Sequence, residues 1–254
     1  MNLTQSEIVE GFKNIGLRKG STVLVHSALS SFGYVEGGVP TVINALLETV
    51  GNEGTVMVPT LTGKYTDDKY NPPIFDVRKT PCWTGKIPEN FRHMPDAKRS
   101  LHPSHSVAAM GSRRDELLFG HETGGSPCDK RSPYFKNAML DGYVMLIGVD
   151  QESNTTIHCC EEAADVPYHL QKDFTQINIV DYSGKEISMR NRLHDWYKPP
   201  TDFNKFDDLF LTHGIMKKVK IGNSDIRLMK AKDMLEFSVD LLLKDPFFLL
   251  KNSH

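Results

Sequence analysis

Two short apolar runs on either side of a helix-like segment constrain the fold of this chain more than any other feature. Residues 22–25 (TVLV) and 55–58 (TVMV) lack the alternation of a half-buried strand, so each is predicted to be a strand buried on both faces. Between them, Val42, Leu46 and Val50 recur at helical spacing on one face. A strand, a crossover helix and a second strand within about 35 residues form a βαβ unit, which predicts a parallel sheet.

Further helix and strand signals surround this unit. Thr4 and Glu7 fit a capping box at the start of a helix that ends near residue 16. Residues 106–110 and 143–148 are predicted to be two more buried strands. Residues 154–156 (NTT) are predicted to cap a helix that ends near residue 165.

Residues 60–104 differ from the rest because they are rich in proline, aspartate, lysine and tyrosine. We predict an elaborated loop region with one short helix near residues 85–93, since long irregular segments inside a compact domain are usually functional. A second loop is predicted to contain residues 124–127 (GGSP) and 132–133 (SP).

The pattern after residue 170 predicts two antiparallel hairpins and two helices. Residues 175–189 and 218–228 each show two strand-like runs around a turn-forming centre. Residues 203–213 and about 230–243 are predicted to be helical.

These elements predict an α/β fold with a central, largely parallel sheet flanked by helices, and a smaller antiparallel C-terminal part. No internal repeat or clear linker divides the sequence. We therefore expect a single domain over residues 1–254, with a core to about residue 169 and the antiparallel and helical part over about 170–254.

Charge and cysteine content exclude several classes of protein. The chain has 30 Lys and Arg against 32 Asp and Glu, a net charge of −2, whereas a general nucleic-acid binder needs a cationic surface. No apolar stretch approaches the roughly 20 residues of a membrane span. Glu7 and Glu10 lie where a secretion signal would be apolar. The four cysteines show no C-x-x-C spacing, so we expect free thiols in a cytoplasmic protein.

The most informative polar segment follows the strand predicted at residues 143–148. His158 lies in the first turn of the next helix, at the edge where open α/β sheets bind ligands. Glu161 and Glu162 follow at i+3 and i+4, on the same side of the helix. An imidazole beside a carboxylate can act as a general base. The same pattern also fits a surface ion pair, or half of a metal site whose companion ligands the sequence does not show.

Three loops are the other candidates for chemistry. Residues 25–33 (VHSALSSFG) could hold phosphates through backbone N–H groups or be an ordinary crossover loop. In residues 98–107 (KRSLHPSHSV), Lys98 and Arg99 could meet phosphate oxygens or form a solvated turn. Residues 66–69 (TDDK) could recognise an ammonium group or stay solvated. The chain has no P-loop, dinucleotide fingerprint or G-x-S-x-G elbow.

Five segments follow one another between residue 16 and about residue 169. They are GLRKGSTVLVHSALSSFGYVEGG, GNEGTVMVPTLTG, KRSLHPSHSVAAMG, SPYFK, and LIGVDQESNTTIHCCEE with the VPYH that follows. Together they resemble the aminoglycoside 3-N-acetyltransferases, a family that transfers an acetyl group from acetyl-CoA to a substrate amine. The resemblance implies an antibiotic N-acetyltransferase-like fold, acetyl-CoA as the acyl donor, and no metal.

The resemblance also implies roles for particular residues. His158 matches the family's catalytic histidine and Glu161 its neighbouring glutamate. Asp67 or Asp68 resembles an acidic residue with a catalytic and substrate-binding role. The other acceptor-binding candidates are Glu162 and Asp195. The expected CoA contacts are Ser27, Ala28, Leu29, Ser30, Phe32, Gly33, Val35, Arg99, Ser100, Ser106 and Val107.

We expect direct transfer, in which His158 removes a proton from the amine and loop N–H groups near residues 27–30 stabilise the oxyanion. A route through an acyl-cysteine at Cys159 or Cys160 stays open, although nothing in their surroundings indicates activation. Two alternatives to an aminoglycoside resistance enzyme are a biosynthetic N-acyltransferase for another amino sugar or amine, and a non-catalytic CoA-binding scaffold. The expected partners are a small-molecule amine and CoA, without nucleic acid or membrane, and a homodimer is left open.

Overall fold

The computed structural model describes residues 2–251, in which helices and strands alternate over most of the chain. The helices are α1 (Gln5–Ile15), α2 (Val39–Val50), α3 (Lys86–Phe91), α4 (Arg114–Leu118), α5 (Pro133–Met139), α6 (Thr156–Ala163), α7 (Lys205–Thr212) and α8 (Ala231–Lys244). The strands are β1 (Thr22–Ser27), β2 (Thr55–Pro59), β3 (Phe75–Asp76), β4 (Lys98–Arg99), β5 (Val107–Gly111), β6 (Tyr143–Ile147), β7 (Leu170–Val180), β8 (Glu186–His194), β9 (Met216–Ile221) and β10 (Ser224–Lys230).

The main sheet has seven strands in the order β4-β5-β2-β1-β6-β10-β9. Strand β1 pairs in parallel with β2 on one side and with β6 on the other, which confirms the predicted βαβ unit. Strands β5 and β10 run antiparallel to their neighbours, so the sheet is parallel at its centre and mixed towards both edges. The predicted α/β class with a largely parallel central sheet is confirmed.

Strand β1 is buried on both faces, as its uninterrupted apolar sequence predicts. Leu24 belongs to the apolar core that packs against α5, α6 and α8. Val23 and Val25 point to the opposite core, which contains the apolar faces of α1 and α2. Two layers of helices therefore enclose the sheet. None of the helices in residues 2–251 has the length and apolar character that a membrane span needs.

The second predicted hairpin does form, but it does not belong to the smaller antiparallel part. Strands β9 and β10 pair with each other, and β10 extends the main sheet beside β6. The smaller sheet contains β7 and β8, joined in parallel by β3 from the proline-rich segment. The expected boundary near residue 169 therefore does not coincide with the edge of the main sheet, because β9 and β10 follow it in the sequence and still belong to that sheet.

The loop predicted around residues 124–133 contains the start of a helix. Ser132 caps α5, because its Oγ accepts a hydrogen bond from Phe135 N at 3.2 Å. Pro133 occupies the first helical turn, where its missing N–H has no intrahelical partner to lose. The Ser-Pro pair was a helix start rather than a loop, and the preceding helix α4 was also missed.

Gly148 ends β6 and lets the loop after β1 pack closely. Its φ is +63°, and a Cβ built there would lie 1.8 Å from Ser31 Oγ and 2.0 Å from Ser31 Cβ. Ser31 Oγ in turn lies 2.7 Å from Ser224 Oγ on β10. A side chain at position 148 would therefore push the Ser31 loop away from the edge of the sheet.

We expect Gly148→Ala to destabilise the protein more than Gly184→Ala. Gly184 also has a positive φ of +84°, but a Cβ there would meet no atom of residues 2–251 within 4 Å. In both variants the left-handed backbone conformation lowers the free energy of unfolding by about 1 kcal/mol. Only Gly148→Ala adds the clash with Ser31, which we expect to lower it by about 1–3 kcal/mol more. Urea unfolding of the two variants measures the difference, and equal free energies of unfolding would contradict the contact.

Candidate active site

A cavity of about 710 Å³ opens where the strands at the parallel centre of the main sheet end. His26 and Ser27 line it from the end of β1, Pro59 from the end of β2, and Val149 from the loop after β6. This is the carboxyl edge of the parallel strands, where open α/β sheets bind ligands. The other walls come from the start of α6, the proline-rich segment and the end of β8.

His158 and Glu161 form a hydrogen-bonded pair on α6. His158 lies in the first turn of the helix and lines the cavity. Its Nδ1 lies 2.6 Å from Glu161 Oε2, one helical turn further on. The His158 side chain is 16% exposed, whereas the Glu161 side chain is 0% exposed. The carboxylate therefore holds one ring nitrogen, and Nε2 is left to meet a substrate.

Hydrogen bonds within the loop before α6 fix where the helix begins. Asn154 Oδ1 accepts from Thr156 N at 3.2 Å, and Asn154 Nδ2 donates to Gln151 Oε1 at 2.9 Å. Gln151 is buried and donates from Nε2 to Asp207 Oδ1 on α7 at 3.1 Å. The loop is thus held from two sides, and His158 is presented at a defined place on the cavity wall.

Three more imidazole rings lie around His158. His169 stacks on it with ring centroids 4.7 Å apart, and His194 meets it edge-on at 4.9 Å. His105 lies 6.0 Å away, and Phe203 closes the remaining side at 5.3 Å. Ligand nitrogens of His105, His158 and His194 lie within 4.8 Å of one another. The rings come from segments far apart in the sequence and meet only in the fold.

Burial keeps these imidazoles neutral near pH 7. Burial is the largest cause that lowers the pKa of His158 well below 6.5, and the nearby His169 ring and Lys198 ammonium group disfavour a second positive charge there. Burial also lowers the pKa of His105 to about 3 and that of His169 to about 4. The Glu161 carboxylate opposes these effects at His158, because it stabilises the imidazolium once a proton arrives. A neutral imidazole backed by a carboxylate is suited to accept a proton.

Lys198 brings an ammonium group to the same buried carboxylate. Its Nζ lies 3.6 Å from Glu161 Oε1, and its side chain is only 10% exposed. The Nζ also lies 5.7 Å from the ring of Tyr168 and 5.5 Å from that of Phe203. Burial lowers the pKa of Lys198, and Glu161 partly counteracts this. Lys198 therefore balances part of the charge behind His158.

Aromatic and acidic side chains form the outer wall of the cavity. Trp83 of the proline-rich segment is 56% exposed and Trp196 after β8 is 38% exposed, although both line the cavity. Asp195 and Glu152 add carboxylates to this wall. Exposed aromatic faces beside carboxylates attract cationic groups and can stack on flat apolar surfaces.

The structure places Asp67 and Asp68 in a turn of their own, and neither lines the cavity. Asp67 is 6% exposed, and its Oδ2 accepts from Lys64 N at 2.7 Å. Burial raises the pKa of Asp67. Asp68 Oδ1 accepts from Tyr70 N and Asn71 N, both at 2.7 Å. Both carboxylates therefore stabilise the local backbone, and their expected role towards an acceptor stays a prediction.

Glu162 also points away from the cavity, although it follows Glu161 on the same helix. Its Oε1 accepts from Cys128 N at 2.9 Å, and its Oε2 accepts from the hydroxyl of Ser126. Burial raises the pKa of Glu162 to about 8. One residue along a helix is a rotation of about 100°, which turns Glu162 towards the 126–128 loop that it anchors.

The residues expected to bind CoA divide into two groups. Ser27 lines the cavity, and its buried Oγ has no hydrogen-bond partner among residues 2–251. The turn that follows it begins with Ala28, and within the described chain the N–H groups of Leu29 and Ser30 donate to no backbone carbonyl. Gly33 ends this turn and is exposed. These residues could face a ligand.

The residues of the second group are buried and contact the interior of the protein. Phe32 and Val35 belong to the core between α1 and the sheet. Arg99 is 3% exposed because its guanidinium bonds inwards: Nε donates to Ser106 Oγ at 2.8 Å and Nη2 to Thr60 O at 2.8 Å. The remaining residues of this group are likewise buried, and none lines the cavity: Ser100, Ser106 and Val107.

Several cavity residues were not singled out from the sequence. His194, Trp196 and Lys198 follow one another at the end of β8, after a long strand that the sequence predicted to be shorter. A cluster of histidine, tryptophan and lysine immediately after a strand was an available signal. His105 lies in the 98–107 loop, whose lysine and arginine were instead predicted to bind phosphate.

A family model for aminoglycoside 3-N-acetyltransferases matches residues 24–243 of this chain. The chain belongs to the aminoglycoside 3-N-acetyltransferase family. The SPbeta prophage-derived aminoglycoside N(3')-acetyltransferase-like protein YokD of Bacillus subtilis is 32% identical, over 92% of this chain and 90% of its own length. The resemblance seen in the sequence is thus confirmed.

Solved structures of acetyltransferases of this family share the fold. A mutant of aminoglycoside acetyltransferase AAC(3)-IVa in complex with a gentamicin superposes with a TM-score of 0.83 at 26% identity, covering 99% of this chain and 93% of that one. AAC-IIIb, solved as a binary complex with CoASH, has a TM-score of 0.84 at 24% identity, with 100% of both chains covered. Members of the family are N-acyltransferases with acetyl-CoA as the acyl donor, and this assignment holds for the chain.

The buried histidines predict loss of stability in acid. His121 is fully buried between Ser100 Oγ and Pro127 O, and burial lowers its pKa to about 4. The unfolded chain takes up this proton at about pH 6.5, so stability is complete above that pH and is lost as pH falls from 6.5 towards 4. The lowered pKa sets an upper bound of about 3 kcal/mol for this single group.

We therefore expect His121→Gln to flatten the pH dependence of the unfolding free energy between pH 6.5 and 4. Urea titrations at a series of pH values measure this slope, and the slope can be compared even if the variant is less stable than the wild type at pH 7. The matched control is His93→Gln, since His93 is exposed. A slope in His121→Gln as steep as in the control would contradict the argument.

Proposed function

We propose that the chain transfers the acetyl group of acetyl-CoA to the 3-amino group of an aminoglycoside, directly and with His158 as the general base. The observation that carries this proposal is the His158–Glu161 pair at the wall of the cavity, with a nitrogen–oxygen distance of 2.6 Å. The gentamicin complex of the AAC(3)-IVa mutant supports the acceptor class.

Proton transfer at His158 is the first requirement, because a protonated amine has no electron pair for attack on a thioester. The neutral ring accepts the proton at Nε2, since Glu161 occupies Nδ1. The resulting imidazolium is stabilised by the carboxylate of Glu161. Lys198 Nζ lies 3.6 Å from the other oxygen of Glu161. Before His158 takes up the proton, this ammonium group compensates part of the negative charge of the buried Glu161 carboxylate.

The acceptor end of the cavity is the wall formed by Trp83, Trp196, Asp195 and Glu152. Its carboxylates attract the ammonium groups of an aminoglycoside, and its indole rings offer flat surfaces to the sugar rings. Glu152 Oε1 also accepts a hydrogen bond from Phe203 N at 2.8 Å, so this side chain stabilises the backbone before α7 as well. Asp195 Oδ1 likewise accepts a hydrogen bond, from Tyr197 N at 3.0 Å, so each carboxylate holds the backbone with one oxygen and has a second that could meet an acceptor.

The donor end is assigned to the strand end and turn at residues 27–30. Within the described residues, the buried Ser27 Oγ has no partner and the N–H groups of Leu29 and Ser30 have no backbone acceptor, so these donors fit the oxygen atoms of an acyl-CoA. When bound, acetyl-CoA supplies the thioester, and these donors would hold its oxygens. Arg99 is not part of this assignment because its guanidinium is committed inside the protein.

One observation favours a second acceptor class. Lys198 lines the cavity with a buried ammonium group, which disfavours a polycation at close range. A biosynthetic N-acyltransferase that acts on an amino sugar or amine bearing an anionic group would gain from the same lysine. The intact His158–Glu161 pair argues against a non-catalytic scaffold.

We expect His158→Ala to lower kcat for a competent aminoglycoside by about 10²–10⁴-fold, with CoA binding retained. Thiol release over a panel of aminoglycosides and amino sugars measures kcat, and calorimetry measures CoA binding. His93→Ala is the control, because His93 lies on the surface. An unchanged kcat in His158→Ala would overturn the assigned base, and turnover only with anionic amino sugars would favour the second acceptor class.

Asp195→Asn is expected to raise KM for a cationic acceptor by about 10-fold while changing kcat much less, because the lost charge attracts the substrate and takes no part in proton transfer. The effect should shrink as ionic strength rises. Asp240→Asn on the exposed side of α8 is the control for a general change of charge. A KM that changes equally in both variants, or not at all, would exclude Asp195 from the acceptor wall.

A further inference from the structure

We propose that His105, His158 and His194 form a binding site for a divalent transition-metal ion of the zinc class, and that this ion and the amine acceptor compete for His158. This inference goes beyond the acetyl transfer proposed above and does not depend on the identity of the acceptor. The sequence alone shows no companion ligands for the H-x-x-E pattern of α6, whereas the fold brings His105 and His194 to His158.

The three imidazoles reach one place from three parts of the fold. His105 precedes β5, His158 lies in the first turn of α6, and His194 is the last residue of β8. Their ligand nitrogens lie within 4.8 Å of one another. Zinc–nitrogen bonds of about 2.0–2.1 Å place tetrahedral ligand nitrogens roughly 3.3 Å apart. Rotations of side chains that move each nitrogen by about 1 Å therefore suffice to close the site.

The second ring nitrogen of two of these residues is already oriented by a neighbour. His158 Nδ1 lies 2.6 Å from Glu161 Oε2, and His105 Nδ1 lies 2.9 Å from Ser104 Oγ. Histidines that bind metal ions usually have their other nitrogen held in this way, by a carboxylate or another polar group. Both residues are therefore prepared to offer Nε2 as the ligand atom.

His194 supplies an independent observation. Its residue is 6% exposed, and its buried Nδ1 has no hydrogen-bond partner among residues 2–251. A buried ring nitrogen without a partner costs free energy. The ring lies 4.9 Å from that of His158 and 6.1 Å from that of His105, centroid to centroid. A ligand that engages this ring at the centre of the cluster would account for its position.

All three histidines line the cavity, which gives an ion access from solvent. Three protein ligands and a fourth position open to water or substrate are the arrangement of catalytic zinc sites. Bound metal would take the electron pair of His158 Nε2, which is the pair that accepts the proton in acetyl transfer. Metal binding and general-base catalysis therefore exclude each other at this residue.

A neighbouring triad of His158, Glu161 and His169 is a weaker site. Glu161 is 0% exposed, and it already bonds to His158 at 2.6 Å. Lys198 Nζ lies 3.6 Å from the other Glu161 oxygen, so both oxygens of this carboxylate already face a partner. We therefore assign the ion to the cavity side of His158.

The test is a titration of the full-length, tag-free, metal-stripped chain with Co²⁺, followed by its visible absorption. We expect saturable absorption bands of tetrahedral Co²⁺ at one equivalent, lost on addition of one equivalent of Zn²⁺. His194→Gln and His105→Gln should each weaken Co²⁺ binding by at least about 10-fold. His213→Gln is the matched control, because His213 is exposed on the surface.

One further variant decides between the triads, and a second tests the outer partner of His158. His169→Gln should keep the Co²⁺ bands, whereas their loss would assign the ion to the weaker triad and overturn the proposal. Glu161→Gln should weaken binding by about 10–100-fold as an outer partner of a ligand. Thermal melts followed by circular dichroism show which variants are folded, and His105→Gln keeps the test open if His194→Gln is not.

Binding of Co²⁺ with equal affinity in the wild type, His194→Gln and His105→Gln, or no saturable binding at all, would overturn the site. The spectra need no acetyl transfer, so an inactive protein would count against the proposed function and leave the metal site standing. Where transfer is measured, Zn²⁺ should inhibit competitively with the amine, and inhibition that is uncompetitive with the amine would contradict the shared ligand.

Discussion

A carboxylate that is completely enclosed sets the arrangement of this active site. Glu161 is 0% exposed, and a charge in that position must be compensated by partners brought from elsewhere in the chain. His158 comes from the same helix, His169 from the loop before β7, and Lys198 from the segment after β8, at 2.6, 3.2 and 3.6 Å respectively. The main sheet, the smaller sheet and their connections thus meet around one negative group.

The position of this group follows from the topology. Parallel strands β2, β1 and β6 end at one edge, and their loops diverge there to leave a cavity. Helix α6 begins at that edge, so its first turn faces the cavity and its next turn lies behind it. His158 and Glu161 are one helical turn apart, which places the imidazole at the surface of the cavity and the carboxylate in the interior.

The sequence predicted the local parts of this structure and missed the long-range ones. The strands, the βαβ unit and the His158–Glu161 spacing are read from residues close together in the chain, and periodicity reports on such residues. The partner strand of β10 and the meeting of His105, His169 and His194 depend on contacts between distant segments. No local pattern carries that information, so the second hairpin was assigned to the wrong sheet.

Charged residues were the least predictable, because their sequence does not reveal which way they face. Arg99 was expected to meet phosphates, yet it lies on a short edge strand and turns inwards to bond Ser106 and Thr60. Glu162 differs from Glu161 by one helical position and stabilises a different loop. Lys198, which had no place in the sequence argument, lies at the centre of the site.

The outer wall of the cavity and the His158–Glu161 pair are carried by different sheets. His158 and Glu161 belong to α6 on the main sheet, whereas Asp195 and Trp196 follow β8 of the smaller sheet. Strand β3 ties the proline-rich segment that carries Trp83 to the same small sheet. Insertions or exchanges there can reshape the outer wall without moving α6. Under the proposed function, a chain of this plan could change its acceptor through the smaller sheet while the His158–Glu161 pair keeps its place.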